Sequence, residues 1–182
     1  MKICVDPGHG MSNRSAGVFD PGATHTENGF LFREADIALK YGLTLKDELR
    51  ARGIEVFMTR DDDLDHAPVG SRARNAKNAG CDRFISLHLN DFDDDAANGV
   101  ETLFSGADDK PLAAKVQKGL LRATGLKDRG LKQRTDLAVL KFDGIAILIE
   151  LGFIANDRDR GTLLNPQIRA AVCKEIADAV LG

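Results

Sequence analysis

Apolar and polar positions follow two different periods along this chain, and each change of period marks a new element. The runs KICVD, IEVFMT, RFISLHLN and GVETLFS are short and mainly apolar, which predicts β-strands. The run IAILIEL is apolar almost throughout, which is typical of a strand buried on both faces of a sheet. We therefore expect a sheet with IAILIEL near its centre.

Helices are predicted between these runs. One helix is indicated by apolar side chains spaced four apart: Ile37, Tyr41, Leu45 and Leu49. A last helix is indicated by a second such set: Ile168, Val172, Ile176 and Val180. Gly53 ends the first of them, whereas Asn165 and Pro166 form the cap and first turn of the last. Between them, VGSRARNAKNAG predicts one helix, and Pro111 opens another that reaches Gly125.

Strands that alternate with helices predict an α/β fold, with a twisted, mixed and largely parallel sheet flanked by helices on both faces. The 182 residues are 43% hydrophobic and 29% charged, which fits a single domain over residues 1–182 with a sizeable core. In sheets of this kind, chemistry gathers where strands end.

Charge and composition exclude some classes of protein. The formal net charge is -3 and the pI is near 5.8, so we expect no nucleic-acid partner. No apolar run is long enough for a membrane span, and we expect a monomer. Cys4, Cys81 and Cys173 are far apart and are interpreted as small buried residues of a reducing compartment.

The first residues, MKICVDPGHG, begin a strand almost at once and contain no apolar signal segment. This pattern predicts a chain that is cytoplasmic as synthesised. The alternative is a domain cut from a longer secreted protein.

Four side chains suited to metal or acid–base chemistry stand at predicted strand ends or helix starts: His9, Glu34, His88 and Glu150. Two imidazoles and one carboxylate form a catalytic zinc set that leaves one coordination position open, and the remaining glutamate could act as a base. A proline and two glycines surround the histidine in DPGHG, which allows the backbone to come close to a ligand.

Other interpretations of the same residues stay open at this point. A carboxylate inside IAILIEL could instead be a structural partner of Arg72 or Arg134, and from the residues alone the two roles are equally probable. His25 and His66 lie in polar sequence and are interpreted as ordinary structural or surface residues.

The segment DFDDDAANG resembles a calcium loop, with Asp91, Asp93 and Asp95 as possible ligands. However, Ala96 stands where the sharp turn needs glycine, and Thr102 stands where a bidentate glutamate is needed. We therefore expect a solvated acidic loop.

The motifs VDPGHG, READIAL, GIEVFMTRDDD, CDRFISLHLN, GVETLF, RGLKQRTDLAVL and IAILIELGFIAN follow one another over nearly the whole chain. In this order they resemble the zinc-dependent N-acetylmuramoyl-L-alanine amidases of bacterial cell-separation enzymes and phage endolysins. The resemblance implies that His9, Glu34 and His88 are zinc ligands and that Glu150 is the catalytic residue. It also implies peptidoglycan as the substrate, cleaved between N-acetylmuramic acid and L-alanine.

The resemblance leaves the biological setting and two further functions open. The chain is expected to be an endolysin or an autolysin that acts on the cell wall after release. The alternatives are a zinc peptidase that cuts within the stem peptide, and a wall-binding module without activity.

Asn90 or Asp91, which follow His88 closely, is predicted to hold a ligand imidazole.

Overall fold

The protein is represented by a computed structural model that describes residues 1–92 and 96–182. Its strands are β1 (Lys2–Pro7), β2 (Gly10–Met11), β3 (Phe19–Asp20), β4 (Thr24–Glu27), β5 (Phe30–Arg33), β6 (Glu55–Met58), β7 (Arg83–Asn90), β8 (Val100–Phe104), β9 (Asp128–Gln133) and β10 (Ile145–Phe153). Its α-helices are α1 (Glu34–Ala51), α2 (Val69–Asn78), α3 (Lys110–Thr124), α4 (Asp157–Leu164) and α5 (Pro166–Leu181). A short 3-10 helix spans Ala138–Lys141.

Six of these strands form one sheet in the order β6-β1-β7-β10-β8-β9. The pairs β1–β6, β1–β7, β7–β10 and β8–β9 are parallel, whereas β8 and β10 are antiparallel. The predicted mixed, largely parallel sheet is therefore confirmed. The run IAILIEL lies within β10, which has neighbours on both sides, as expected of a central strand.

The two faces of the sheet are covered to different extents. Helices α1, α3 and α5 pack on one face, where Ile147 and Ile149 of β10 join the large apolar core. Helix α2 and the 3-10 helix cover part of the other face, where Ala146 and Leu148 belong to a smaller core. Because side chains alternate along a strand, Glu150 projects from the less covered face.

Several elements were missed by the apolar pattern. The connection between β1 and α1 contains two small hairpins, β2–β3 and β4–β5, and neither β9 nor α4 was predicted. The predicted helices are present as α1, α2, α3 and α5, and Asn165 caps α5 through its side-chain oxygen, as predicted.

Three further expectations concern composition and loops. All three cysteines are free and buried. None of the helices in the described part of the chain is long and apolar enough to cross a membrane. The predicted acidic loop covers residues 91–99, and of these residues 93–95, which include Asp93 and Asp95, lie outside the described residues.

Candidate metal centre

His9 is positioned by a sharp turn directly after β1. Its backbone has a φ of 62°, a left-handed conformation that costs energy in a residue with a side chain and that tends to occur at functional sites. The preceding Gly8 allows a close approach, because a Cβ at that position would overlap with the ring of His88. The turn therefore brings the end of β1 against the end of β7.

Glu34 is the first residue of α1, and only 3% of it is exposed. Its Oε2 accepts a hydrogen bond from the backbone N–H of Ala23 (2.8 Å), and its Oε1 accepts one from the backbone N–H of Leu89 (2.9 Å). Gly22, with a φ of 68°, leaves room for this carboxylate, since a Cβ there would lie 2.5 Å from Oε2 of Glu34. The main chain thus sets the orientation of the carboxylate.

Both imidazoles contact this carboxylate. Nε2 of His9 lies 3.1 Å from Oε2 of Glu34, and Nδ1 of His88 lies 2.9 Å from Oε1. The ring centroids of the two histidines are 4.9 Å apart. His9, Glu34 and His88 each offer one ligand atom, and these three atoms lie within 4.8 Å of one another. The three residues could together hold a metal ion.

The donor set fits zinc, because two imidazole nitrogens and one carboxylate oxygen are the protein ligands of many catalytic zinc sites. Burial alone would raise the pKa of Glu34, but hydrogen bonds from His88 and His9 outweigh burial and hold that pKa far below its usual range. This environment therefore favours the anionic form of Glu34, which is the form that binds a metal ion.

Asp20 holds His9 from the side opposite Glu34. Its Oδ2 lies 3.0 Å from Nδ1 of His9 and accepts a hydrogen bond from Asn13 Nδ2 (2.7 Å), and its Oδ1 accepts one from the Gly22 N–H (3.0 Å). Although burial raises the pKa of Asp20, the bonds from His9, Asn13 and Gly22 lower it to about 2. With Nδ1 of His9 held by Asp20, the nitrogen that faces Glu34, at 3.1 Å, is Nε2, and this is the atom available to a metal ion.

The prediction that Asn90 or Asp91 holds an imidazole is wrong. Asn90 Nδ2 donates instead to Oε1 of Glu101 (2.9 Å), and Oδ1 of Asp91 accepts from the backbone N–H of Phe92 (3.0 Å). Sequence distance was the misleading criterion, because the β2–β3 hairpin brings the more distant Asp20 to His9.

Glu150 lies beside this cluster. It pairs in register with His88 across β10 and β7, so the two side chains project from the same face of the sheet. Its Oε2 is buried without a hydrogen-bond partner among the described residues. Burial raises the pKa of Glu150 to about 7; the charge of His88 opposes this rise, and those of Glu34 and Glu101 add to it.

The alternative role of Glu150 as a structural ion-pair partner does not occur with either arginine. Arg72 pairs with Asp6 at 2.8 Å, and Arg134 pairs with Asp136 at 2.8 Å. The structure therefore brings His9, Glu34, His88 and Glu150 together and leaves Glu150 without an ion pair in the described part of the chain.

An open cleft of about 250 Å³ adjoins the cluster. The residues that line it include Asn13, Arg14, Val69, His88 and Leu148. Through this cleft a substrate can reach the cluster from solvent.

The two remaining histidines lie outside the cluster, as expected: His25 is part of the β4–β5 hairpin, and Nδ1 of His66 contacts Oγ of Ser12 at 2.7 Å.

Comparisons with known proteins agree with this arrangement. A family model described as N-acetylmuramoyl-L-alanine amidase matches residues 3–181. The chain is 31% identical over 173 residues to "Probable cell wall amidase LytH" of Staphylococcus epidermidis, which covers 95% of this chain and 54% of that protein. It is 29% identical over 185 residues to "N-acetylmuramoyl-L-alanine amidase LytC" of Bacillus subtilis, covering 99% of this chain and 35% of that protein.

A solved structure matches over nearly its whole length. The catalytic domain of CwlV, an N-acetylmuramoyl-L-alanine amidase from Bacillus (Paenibacillus) polymyxa var. colistinus, superimposes with a TM-score of 0.87 and 28% identity, covering 98% of this chain and 95% of that one. By contrast, the chain spans only 54% of the LytH relative and 35% of LytC.

Proposed function

Because the chain belongs to the N-acetylmuramoyl-L-alanine amidase family, we propose that it hydrolyses the amide bond between N-acetylmuramic acid and L-alanine in peptidoglycan. The observation that carries this proposal is the juxtaposition of three metal-type donors with a buried carboxylate oxygen that has no hydrogen-bond partner in the described residues. A buried polar atom of this kind is costly unless a ligand, water or substrate pairs with it.

We propose zinc as the metal, held by His9, Glu34 and His88. When bound, zinc supplies Lewis acidity, which lowers the pKa of water and polarises a carbonyl group. Asp20 supports this role, since its hydrogen bond to Nδ1 keeps Nε2 of His9 directed at Glu34. The backbone donors of Ala23 and Leu89 orient the carboxylate in the same way.

Glu150 is assigned the proton transfers. Its carboxylate accepts a proton from the attacking water, and the same oxygen then donates that proton to the nitrogen of the departing L-alanine. Burial raises the pKa of this carboxyl group in the metal-free protein, and a bound cation would lower it and so favour the ionised form that accepts the proton. The register of β10 against β7 keeps this carboxylate next to His88.

The products of digestion test the proposal. Purified protein supplied with zinc is incubated with purified peptidoglycan, and the new chain ends are identified. We expect free amino termini of L-alanine and glycan strands that remain intact. We expect His88→Ala to release none of these ends and His25→Ala, which alters a histidine outside the cluster, to behave as the wild type.

The two other candidate functions give different results in the same experiment. A peptidase would release amino termini of residues further along the stem peptide. A wall-binding module would sediment with peptidoglycan and release no ends at all. Either result with zinc-loaded wild-type protein would refute the amidase proposal.

A further inference from the structure

A charged pair, formed by Glu101 and Arg129, lies next to Glu150 on the same face of the sheet. Glu101 of β8 stands directly opposite Glu150 of β10 in the antiparallel register, so the two side chains are neighbours. Glu101 is 9% exposed, and its Oε2 lies 3.1 Å from Nε of Arg129 on β9. Arg129 on β9 is thus two strands beyond Glu150, on the side away from His88.

Arg129 is held in place from two directions. Glu101, which binds it, is itself fixed by a hydrogen bond from Asn90 Nδ2 to Oε1 (2.9 Å). The guanidinium also lies over the ring of Phe153, with 4.8 Å between Cζ and the ring centroid. Little conformational entropy would therefore be lost if this group bound a ligand.

The guanidinium of Arg129 has N–H donors that its contact with Glu101 does not use. An arginine offers five N–H donors, and the stacking on Phe153 uses the face of the group rather than its N–H edge. Within the described residues, Arg129 donates only through Nε, to Glu101, and its side chain is 32% exposed. The Nη donors are consequently available at the open surface of the sheet.

Other arginines of the molecule are used differently. Arg60, Arg72 and Arg160 are buried, and their N–H groups donate hydrogen bonds to backbone carbonyl groups and carboxylates. Arg134 makes a two-point contact with Asp136 through Nε and Nη2. Arg129 combines a fixed position with a donor edge that no described residue uses, which is the arrangement of a carboxylate-binding group.

The order of the strands gives the direction in which the substrate would reach this group. His9 follows β1, His88 is on β7, Glu150 is on β10, Glu101 is on β8 and Arg129 is on β9, which is their spatial order across the sheet. In the proposed reaction Glu150 donates a proton to the amine of L-alanine, so the leaving peptide lies over β10. If the peptide continues in the direction away from His9, Glu34 and His88, it crosses β8 and β9.

We propose that Arg129 binds a carboxylate of the stem peptide, on the residue that follows L-alanine. This inference rests on the proposed amidase function and adds a specificity-determining contact to it. Arg129 recognises the leaving peptide, and Glu101 acts as a positioning residue that fixes the guanidinium.

The test compares two soluble muramoyl dipeptides that differ in one group. In one, the residue after L-alanine carries a free carboxylate next to its amide nitrogen; in the other, that group is a carboxamide. We expect wild-type protein to cleave the carboxylate form with a kcat/KM about ten- to a hundredfold higher, the usual worth of hydrogen bonds to a charged group. The difference should lie mainly in KM.

Variants on β9 locate the source of this preference. Arg129→Gln should lose the preference by losing activity on the carboxylate form alone, and Arg129→Lys should keep part of it. Lys132→Gln removes an exposed charge from the same strand and should leave the preference intact.

Three results would overturn the inference. Wild-type protein that cleaves both dipeptides equally well has no such contact, whatever the variants do. An Arg129→Gln variant that loses activity on both substrates to the same extent shows a structural role only. Failure of wild-type protein on both dipeptides and on peptidoglycan would refute the amidase proposal together with this one.

Discussion

Two clusters of buried charge lie side by side on the less covered face of the sheet, and they are built on opposite principles. In the first, Asp6 is fully buried and every oxygen is paired: Oδ1 with Arg72 (2.8 Å) and Thr59 (2.6 Å), and Oδ2 with Ser86 (2.6 Å). In the second, Glu150 keeps a buried oxygen without a partner in the described residues. The first cluster is closed and the second is open.

The pKa values of the two carboxyl groups follow from this difference. Burial acts to raise the pKa of both groups. In Asp6 the charge of Arg72 and the hydrogen bonds of Ser86 and Thr59 outweigh burial and lower the pKa, whereas burial prevails in Glu150. A closed cluster therefore contributes to the fold, and an open one keeps a group ready for proton transfer.

The largest expected effect is on catalysis. Glu150→Gln keeps the shape of the side chain but removes the proton acceptor, so turnover on the muramoyl–alanine amide should fall by about 10² to 10⁴. The melting temperature should not fall, because no ion pair of the described residues is broken. A variant that retains wild-type turnover would remove Glu150 from the mechanism.

The closed cluster should respond in the opposite way. Arg72→Met leaves the carboxylate of Asp6 buried without its charge partner, so the free energy of unfolding should fall by about 3 to 5 kcal/mol. Denaturant titration measures this, with Arg74→Met on the exposed side of the same helix as the control. If both variants are equally stable, the Asp6–Arg72 pair is not the structural cluster described above.

A smaller effect is expected for the residue that holds a ligand without binding the metal. Asp20→Asn weakens the hydrogen bond that fixes the ring of His9, so zinc should bind about 10 to 100 times more weakly. Competition with a chromophoric chelator measures the affinity, and Asp47→Asn, an exposed change on α1, serves as the control. Equal affinities in the two variants would exclude this role of Asp20.

The last expected effect is a dependence of stability on pH. The pKa of Glu150 is raised in the folded state, so between about pH 4.5 and 7 the folded state binds more protons than the unfolded state, and stability falls as the pH rises. In protein kept metal-free with a chelator, Glu150→Gln should therefore gain stability relative to wild type as the pH rises through this interval. Parallel stability curves for the two proteins would contradict the raised pKa.

The apolar pattern was sufficient to predict the sheet and the elements that carry the four cluster residues. KICVD, RFISLHLN and IAILIEL are buried strands whose apolar runs are plain in the sequence. His9 lies just beyond the first of these strands, and His88 and Glu150 lie in the last halves of the other two. Strands of a parallel sheet end at a common edge, so residues far apart in sequence could be expected to meet there.

The remaining features could not be predicted because their signals are not apolar periods. Strand β9 (DRGLKQ) is a polar edge strand, and the β2–β3 hairpin consists of two residues on each side. The contacts of Asp20 with His9 and of Arg129 with Glu101 depend on these two elements. Both are set by tertiary pairing rather than by local sequence.

The central claim is that the open cluster is a zinc site on which hydrolysis depends, and metal content measured together with activity tests it most directly. Wild-type protein should contain close to one zinc per chain, lose cleavage of the muramoyl–alanine amide on chelation and regain it when zinc is added. His9→Ala, Glu34→Ala and His88→Ala should each lower the zinc content. Full activity in metal-free protein, or undiminished zinc in all three variants, would contradict the account.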